Sequence, residues 1–343
     1  MNDTEFQFGL VVRGQFALED DVAARFRETV AMAKRAEALG FDSITKTSHY
    51  STPPFQMLQQ VPLLARFTAE VPSMRLNAGI VILPLHSPLA VAEEFATLDV
   101  MSGGKMILGV ALGYRDLEFK AFGADLKDRV RRFEDNLEAI KRLWTEDEVR
   151  MTGGHFELDG ASCLPKPLQK PYPPIWIGAN ADRAIERAAR LGDCWYINPH
   201  QTVETIERQM QGYRRALDAA GKPFPAELPM RREVFVAASR EEALRLSAPF
   251  LGPKYAAYAA WGQEQNMAEG DNDLNQGFED LARDRFIIGA PDEVAEQIIA
   301  INRRLGVNHL VMSMEWAGMS KSLTDETMEM FAREVIPKVR AGL

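Results

Sequence analysis

Chemistry in this chain has to come from a few polar stretches. His49, in Thr47-Ser48-His49-Tyr50, has an imidazole whose ordinary pKa lies near neutrality. It can act as a general base or hydrogen-bond a substrate, and the competing reading is a half-buried structural histidine. The stretch IGANADR, Ile177–Arg183, ends an apolar run and opens a helix. Unpaired N–H groups and the positive dipole end at such a turn bind phosphate, unless Asn180 or Asp182 simply caps the helix. Arg129, Arg131 and Arg132 start another helix and offer either a guanidinium fork for an anion or solvated charge. Other polar stretches that follow apolar runs are Pro84–His86, Gly109–Gly123 (GVALGYRDLEFKAFG), Asn198–Gln201 (NPHQ) and Met314–Trp316. His155 and His309 read as structural.

Several chemistries have no footing. There is no G-x-S-x-G elbow, no P-loop and no G-x-G-x-x-G, which removes the usual signatures of serine hydrolases, P-loop phosphotransfer and Rossmann dinucleotide binding. The five histidines are scattered without HExxH or CxxC spacing, so no metal site is expected. The 343 residues carry 40 basic and 49 acidic side chains, a net charge of −9, which argues against nucleic acid or an anionic membrane as partner. No apolar run reaches the roughly 20 residues of a membrane helix. The start, MNDTEFQFGLVV, has no basic n-region. With only Cys163 and Cys194 there is no disulfide framework, and a cytoplasmic location is expected.

These residues need elements to position them. Strands are expected at Phe6–Val12, Ser43–Thr47, Arg75–Leu83, Met106–Leu112, Pro174–Ala179, Cys194–Asn198, Arg231–Ala238 and His309–Met314. Helices are expected between them, at Asp21–Leu39, Gln56–Glu70 (with Pro62 as a possible interruption), Leu89–Met101, a stripe of Val130, Phe133, Leu137, Ile140 and Trp144, Asp182–Leu191, Val203–Leu217, from Glu241 onward, and Asp292–Leu305. Eight strand–helix units demand right-handed crossovers and fit a closed (β/α)8 TIM barrel, whose active site lies at the C-terminal strand ends. The chain reads as one domain over 1–343, with insertions near 148–173, a hairpin and loop, and 263–276. Gln263–Gln276 has only Met267 and Leu274 as large apolar residues, and is expected to be a mobile lid over the barrel mouth or an idle loop.

The block Gly79–Gly123 resembles the bacterial luciferase-like flavin oxidoreductases. It has an apolar strand ending in Leu-Pro, LDVMSGGK, a glycine-bearing strand and EFKAFG. AKRAEALGFDSI, PKPLQKPYPPIWIGA and IGAPDEVAEQI extend the match in order and spacing over nearly the whole chain. The resemblance implies a luciferase-like TIM barrel that binds reduced FMN, or a deazaflavin coenzyme, at its C-terminal mouth. It implies a non-proline cis peptide at Gly79–Ile80 beneath the ring, and a catalytic or substrate-facing role for His49. The acid that often precedes that histidine is Ser48 here, and Leu112 stands where the luciferases carry an arginine. The implied coenzyme contacts are Gly79, Ile80, Leu112, Tyr114, Arg129, Arg132, Gly178, Ala179 and Asn180.

The leading expectation is therefore an FMN-dependent monooxygenase. It would oxygenate a small-molecule substrate with O2, take reduced FMN from a separate flavin reductase, and form a homo-oligomer. A deazaflavin-dependent oxidoreductase that transfers hydride, or a flavin-binding protein without turnover, is the alternative. A non-redox barrel enzyme ranks below these, because Lys46 is the only lysine near a strand end and no acid–base pair is evident.

Overall fold

The computed structural model describes residues 5–343, so residues 1–4 of the 1–343 span lie outside it. Eight parallel strands alternate with helices: β1 (Gln7–Val12), β2 (Ser43–Lys46), β3 (Arg75–Ile82), β4 (Met106–Ala111), β5 (Ile175–Ala179), β6 (Cys194–Ile197), β7 (Pro229–Val236) and β8 (His309–Ser313). Each pairs with its neighbours in chain order, β6 with β7 through Ile197 and Met230, and β8 returns to β1, so the sheet closes into a (β/α)8 barrel. A three-residue strand, Ile287–Gly289, pairs with the far end of β7.

The helices are α1 (Val22–Ala38), α2 (Gln60–Glu70), α3 (Pro88–Met101), α4 (Asp116–Ala121), α5 (Arg129–Thr145), α6 (Asp182–Leu191), α7 (Val203–Ala219), α8 (Arg240–Ala260), α9 (Phe278–Ala282), α10 (Pro291–Leu305), α11 (Lys321–Met330) and α12 (Ile336–Gly342). Among the described residues no helix is long and apolar enough to cross a membrane. Asp21 caps α1 by accepting from the Ala23 and Ala24 N–H groups at 2.9 and 3.2 Å. Helix α5 buries Phe133, Leu137, Ile140, Leu143 and Trp144, each contributing roughly 1.5–3 kcal/mol, while Val130 lies outside that stripe. The Trp144 indole N–H donates to the Ala92 carbonyl at 2.9 Å, tying α5 to α3.

Three local expectations change. Gln56 does not open a helix: Phe55–Met57 pairs antiparallel with Gln15–Ala17, and α2 begins at Gln60. Pro62 does not interrupt α2, because it sits in the first turn, where its missing N–H has no partner to lose. The stretch 263–276 does not project as a loop poor in contacts. Met267 and Leu274 are both buried, and Asp271 pairs with Arg285 at 2.8 Å while accepting from the Thr202 N–H at 2.7 Å at the start of α7. An ion pair and hydrogen bonds to Thr202, the cap residue of α7, do the anchoring that apolar area was expected to lack.

The N-terminal end of the barrel is filled by polar side chains. The Ser43 hydroxyl meets His309 Nε2 at 2.8 Å, His309 Nδ1 meets Glu227 Oε1 at 2.8 Å, and Arg75 Nη2 donates to Glu227 Oε2 at 3.1 Å. The His309 and Trp176 rings stand nearly perpendicular, with centroids 5.2 Å apart. His309 is thus structural. Burial alone would raise the Glu227 pKa, but hydrogen bonds and charge from His309 and Arg75 outweigh it and hold it at about 2. The ordinary value is about 4.3, so this stabilisation is complete above that pH and is lost as pH falls toward 2. Glu227→Gln should therefore flatten the loss of stability between those two pH values in denaturant titrations. Equal slopes in wild type and variant would show that the pair contributes no net folding energy.

Candidate active site

Parallel closure brings all eight strand C-termini to one rim, and a cavity of about 430 Å³ opens there. His49, Gly79, Ile80, Leu112, Tyr114, Arg129, Gly178, Ala179 and Asn180 all border it. Arg132 does not. Its Nε donates to the Pro84 carbonyl at 2.7 Å, so it ties α5 to the loop after β3, and Arg129 is the guanidinium at the cavity.

The floor is set by the β3 backbone. The Gly79–Ile80 peptide is cis, and the pairing of β3 with β4 shifts register between Ala78 and Val81. A Cβ on Gly79 would lie 2.5 Å from the Thr45 methyl and 3.3 Å from the Tyr196 ring, so only glycine fits. Gly113 is equally constrained, with φ +75° and the Ile82 side chain 2.4 Å from any added Cβ.

His49 has the carboxylate partner that its own stretch lacks. Its Nδ1 lies 3.1 Å from Oε1 of Glu118 on α4, 69 residues away in sequence. The same oxygen accepts from the Tyr50 N–H at 2.9 Å and from Arg115 Nη1 at 3.2 Å. Burial pushes the Glu118 pKa up, but His49, the Tyr50 N–H and Arg115 more than offset this and leave it below the ordinary carboxylate value. Engagement of Nδ1 by a carboxylate fixes the tautomer and leaves Nε2 as the working atom. The rings of Tyr114, Tyr258 and Trp261 stand 5.5–6.2 Å from the imidazole, and Arg115 stacks on Trp261 at 4.3 Å. An acid–base pair is thus present where none was evident. Its signal lay in the sequence, as the first residue of EFKAFG.

Two features mark the opposite wall. Helix α6 starts at the Gly178–Ala181 turn with no side-chain cap. Asn180 instead bonds Asn198, and Asp182 accepts from Gln209 at 2.8 Å, so neither serves as the cap. The turn keeps its backbone donors for another partner. In addition, Thr47 Oγ1, the Tyr114 and Tyr196 hydroxyls and both His200 ring nitrogens are buried, line the cavity and have no partner. Burial raises the Tyr196 pKa to about 12, which keeps a neutral O–H there. Buried polar groups are normally satisfied, so this group points to a ligand with several polar edges. Gln263, Gln265, Asn266 and Met267 also border the cavity.

Comparison with known proteins agrees with this geometry. The chain is 29% identical over 328 residues to the FMNH2-dependent dimethylsulfone monooxygenase of Pseudomonas putida, covering 90% of this chain and 86% of that one. It is 25% identical over 335 residues to the F420-dependent glucose-6-phosphate dehydrogenase of Amycolatopsis mediterranei, covering 92% and 95%. The crystal structure of monooxygenase RslO1 from Streptomyces bottropensis superposes with a TM-score of 0.86 at 25% identity, over 96% of this chain and 99% of that one. The model of the luciferase-like monooxygenases matches residues 6–309, and with the closed barrel and its rim cavity this establishes that the chain belongs to that family.

Proposed function

We propose that this protein oxygenates a small organic substrate with O2, using reduced FMN delivered by a separate flavin reductase. The observation that carries the reading is the set of buried, unpartnered Thr47, Tyr114 and Tyr196 hydroxyls around the Gly79–Ile80 backbone. An isoalloxazine has flat apolar faces and a rim of donors and acceptors, which suits this lining. The uncapped turn Gly178–Ala181 and Arg129 suit the phosphate. The FMNH2-dependent relative named above supports the choice of coenzyme.

When bound, reduced FMN supplies the electrons that O2 needs. The chain's own residues do the rest. Glu118 orients the imidazole, and His49 Nε2 holds or moves a proton at the reacting centre. Gln263–Met267 shields the mouth from water. A deazaflavin coenzyme is the second reading, because the F420-dependent relative aligns over 92% of the chain. Thermal melting with each coenzyme separates the two, since a ligand specific for the native state raises the melting temperature.

Ala179→Asp sets a carboxylate against the phosphate and should weaken FMN binding by about tenfold or more while the fold persists. Unchanged affinity in the folded variant, read by fluorescence titration, overturns the phosphate assignment. His49→Ala should lower turnover by roughly 100-fold or more with FMN affinity unchanged. Wild-type turnover in that variant returns His49 to a structural role.

A further inference from the structure

Arg115 adjoins the His49–Glu118 pair as the residue before α4, and it does not border the cavity. It is buried, at 7% exposure. Its Nη1 donates to Glu118 Oε1 at 3.2 Å and to the Tyr50 carbonyl at 2.8 Å. Its Nη2 donates to the Ser51 carbonyl at 2.9 Å. Ser51 holds a φ of +46°, a conformation that a residue with a side chain keeps only where its neighbours enforce it. The guanidinium carbon lies 4.3 Å from the centroid of the Trp261 ring, whose indole N–H donates to the Pro53 carbonyl at 3.2 Å. One side chain thus joins the loop after β2, the start of α4 and the residue that ends α8.

The charges in this cluster balance without the imidazole. Glu118 Oε1 faces three donors, His49, Tyr50 and Arg115, an arrangement that favours an ionised carboxylate. Arg115 is permanently cationic, and among the described residues Glu118 is its one ion-pair partner. A carboxylate with 0% exposure is costly unless a cation stands beside it. With the guanidinium in that place, His49 can lose its proton and Glu118 is still paired. With an uncharged side chain at position 115, the imidazolium would be the one cation left on Glu118, and the ring would keep its proton. The other rings around His49 are Tyr114 after β4 and Tyr258 and Trp261 from the end of α8, and Tyr50 follows it in its own loop. Lys46, three residues earlier on β2, donates its ammonium to the Arg13 and Thr47 carbonyls at 2.9 and 2.7 Å.

We propose that Arg115 is a positioning residue for the His49 step: it holds Glu118 against Nδ1 and balances the carboxylate's charge, which leaves Nε2 free to take up and return a proton. The proposal rests on the reading of His49 as the group that handles a proton, and adds what keeps that group exchangeable. A buried Glu–His pair alone would settle as a fixed ion pair. The permanent third charge turns the carboxylate into an orienting group. A proton taken at Nε2 then makes an imidazolium beside Glu118, and its departure from the same atom restores the neutral ring. Lysine at position 115 would carry the charge without the planar fork that reaches two carbonyls and stacks on Trp261.

Nitrogen-15 NMR of histidine-labelled, coenzyme-free protein tests it by following the charge of each ring against pH. The His49 signals are those that His49→Ala removes. In Arg115→Met the ring should stay protonated to a pH about one unit higher than in the wild type, which is about tenfold more imidazolium at any pH above both midpoints. Arg115→Lys keeps the charge and loses the fork, so it should melt at a lower temperature while His49 titrates close to the wild-type pH. If Arg115→Met does not fold, Arg115→Gln carries the same expectation. An unchanged or lower midpoint in the uncharged variants, or a rise in Arg115→Lys as large as theirs, overturns the proposal and leaves Arg115 as a tie for the loop after β2. The measurement needs neither coenzyme nor substrate. If the midpoint moves as expected while His49→Ala retains turnover, the control of the ring by Arg115 stands and the catalytic reading of His49 falls.

Discussion

Every strand of the closed sheet points the same way, and that single constraint decides where chemistry can occur. In a parallel barrel all carbonyl ends of the strands, and all the loops that follow them, must emerge at one rim. His49 follows β2, Gly79 and Ile80 lie late in β3, Leu112 and Tyr114 follow β4, Ala179 ends β5, His200 follows β6 and Arg231 lies within β7. Residues spread over most of the chain therefore share one cavity without any side chain having to reach far.

The same closure makes the interior small and dry, yet this chain fills it with charge. At the N-terminal end each charged group has a partner: Arg75 with Glu227, and Glu227 with His309. Toward the rim the pairing is incomplete, with Arg13 and Lys254 around Glu233 and three hydroxyls and an imidazole unpartnered at the cavity. The gradient from satisfied to unsatisfied polar groups separates the part of the barrel that holds the fold from the part that meets a ligand.

Much of this was legible in the sequence. The β-branched runs gave the eight strands to within a few residues, because strands buried on both faces leave a nearly unbroken apolar signal, as in Arg75–Ile82. Residues just after those runs were visible as rim candidates. The His49–Glu118 contact was not, because periodicity carries no information about a pair 69 residues apart on different elements. Arg231 and Glu233 were read only as part of a strand, since nothing in MRREVFV tells a charge facing the barrel interior from one facing solvent. The anchoring of the stretch 263–276 was hidden for a related reason. Its anchor is Asp271 with Arg285, and composition counts a buried aspartate as surface polarity.

The polar plug at the base of the barrel has a consequence for traffic. Ser43, Trp176 and His309 are closed to solvent at that end, with exposures of 0%, 1% and 0%. The barrel is a well and not a tube. Everything that enters by the rim leaves by it, through the cavity that Gln263, Gln265, Asn266 and Met267 help to line. Whatever lodges deepest must arrive first and depart last, so the order of molecular events is written into the shape of the vessel before any affinity is considered.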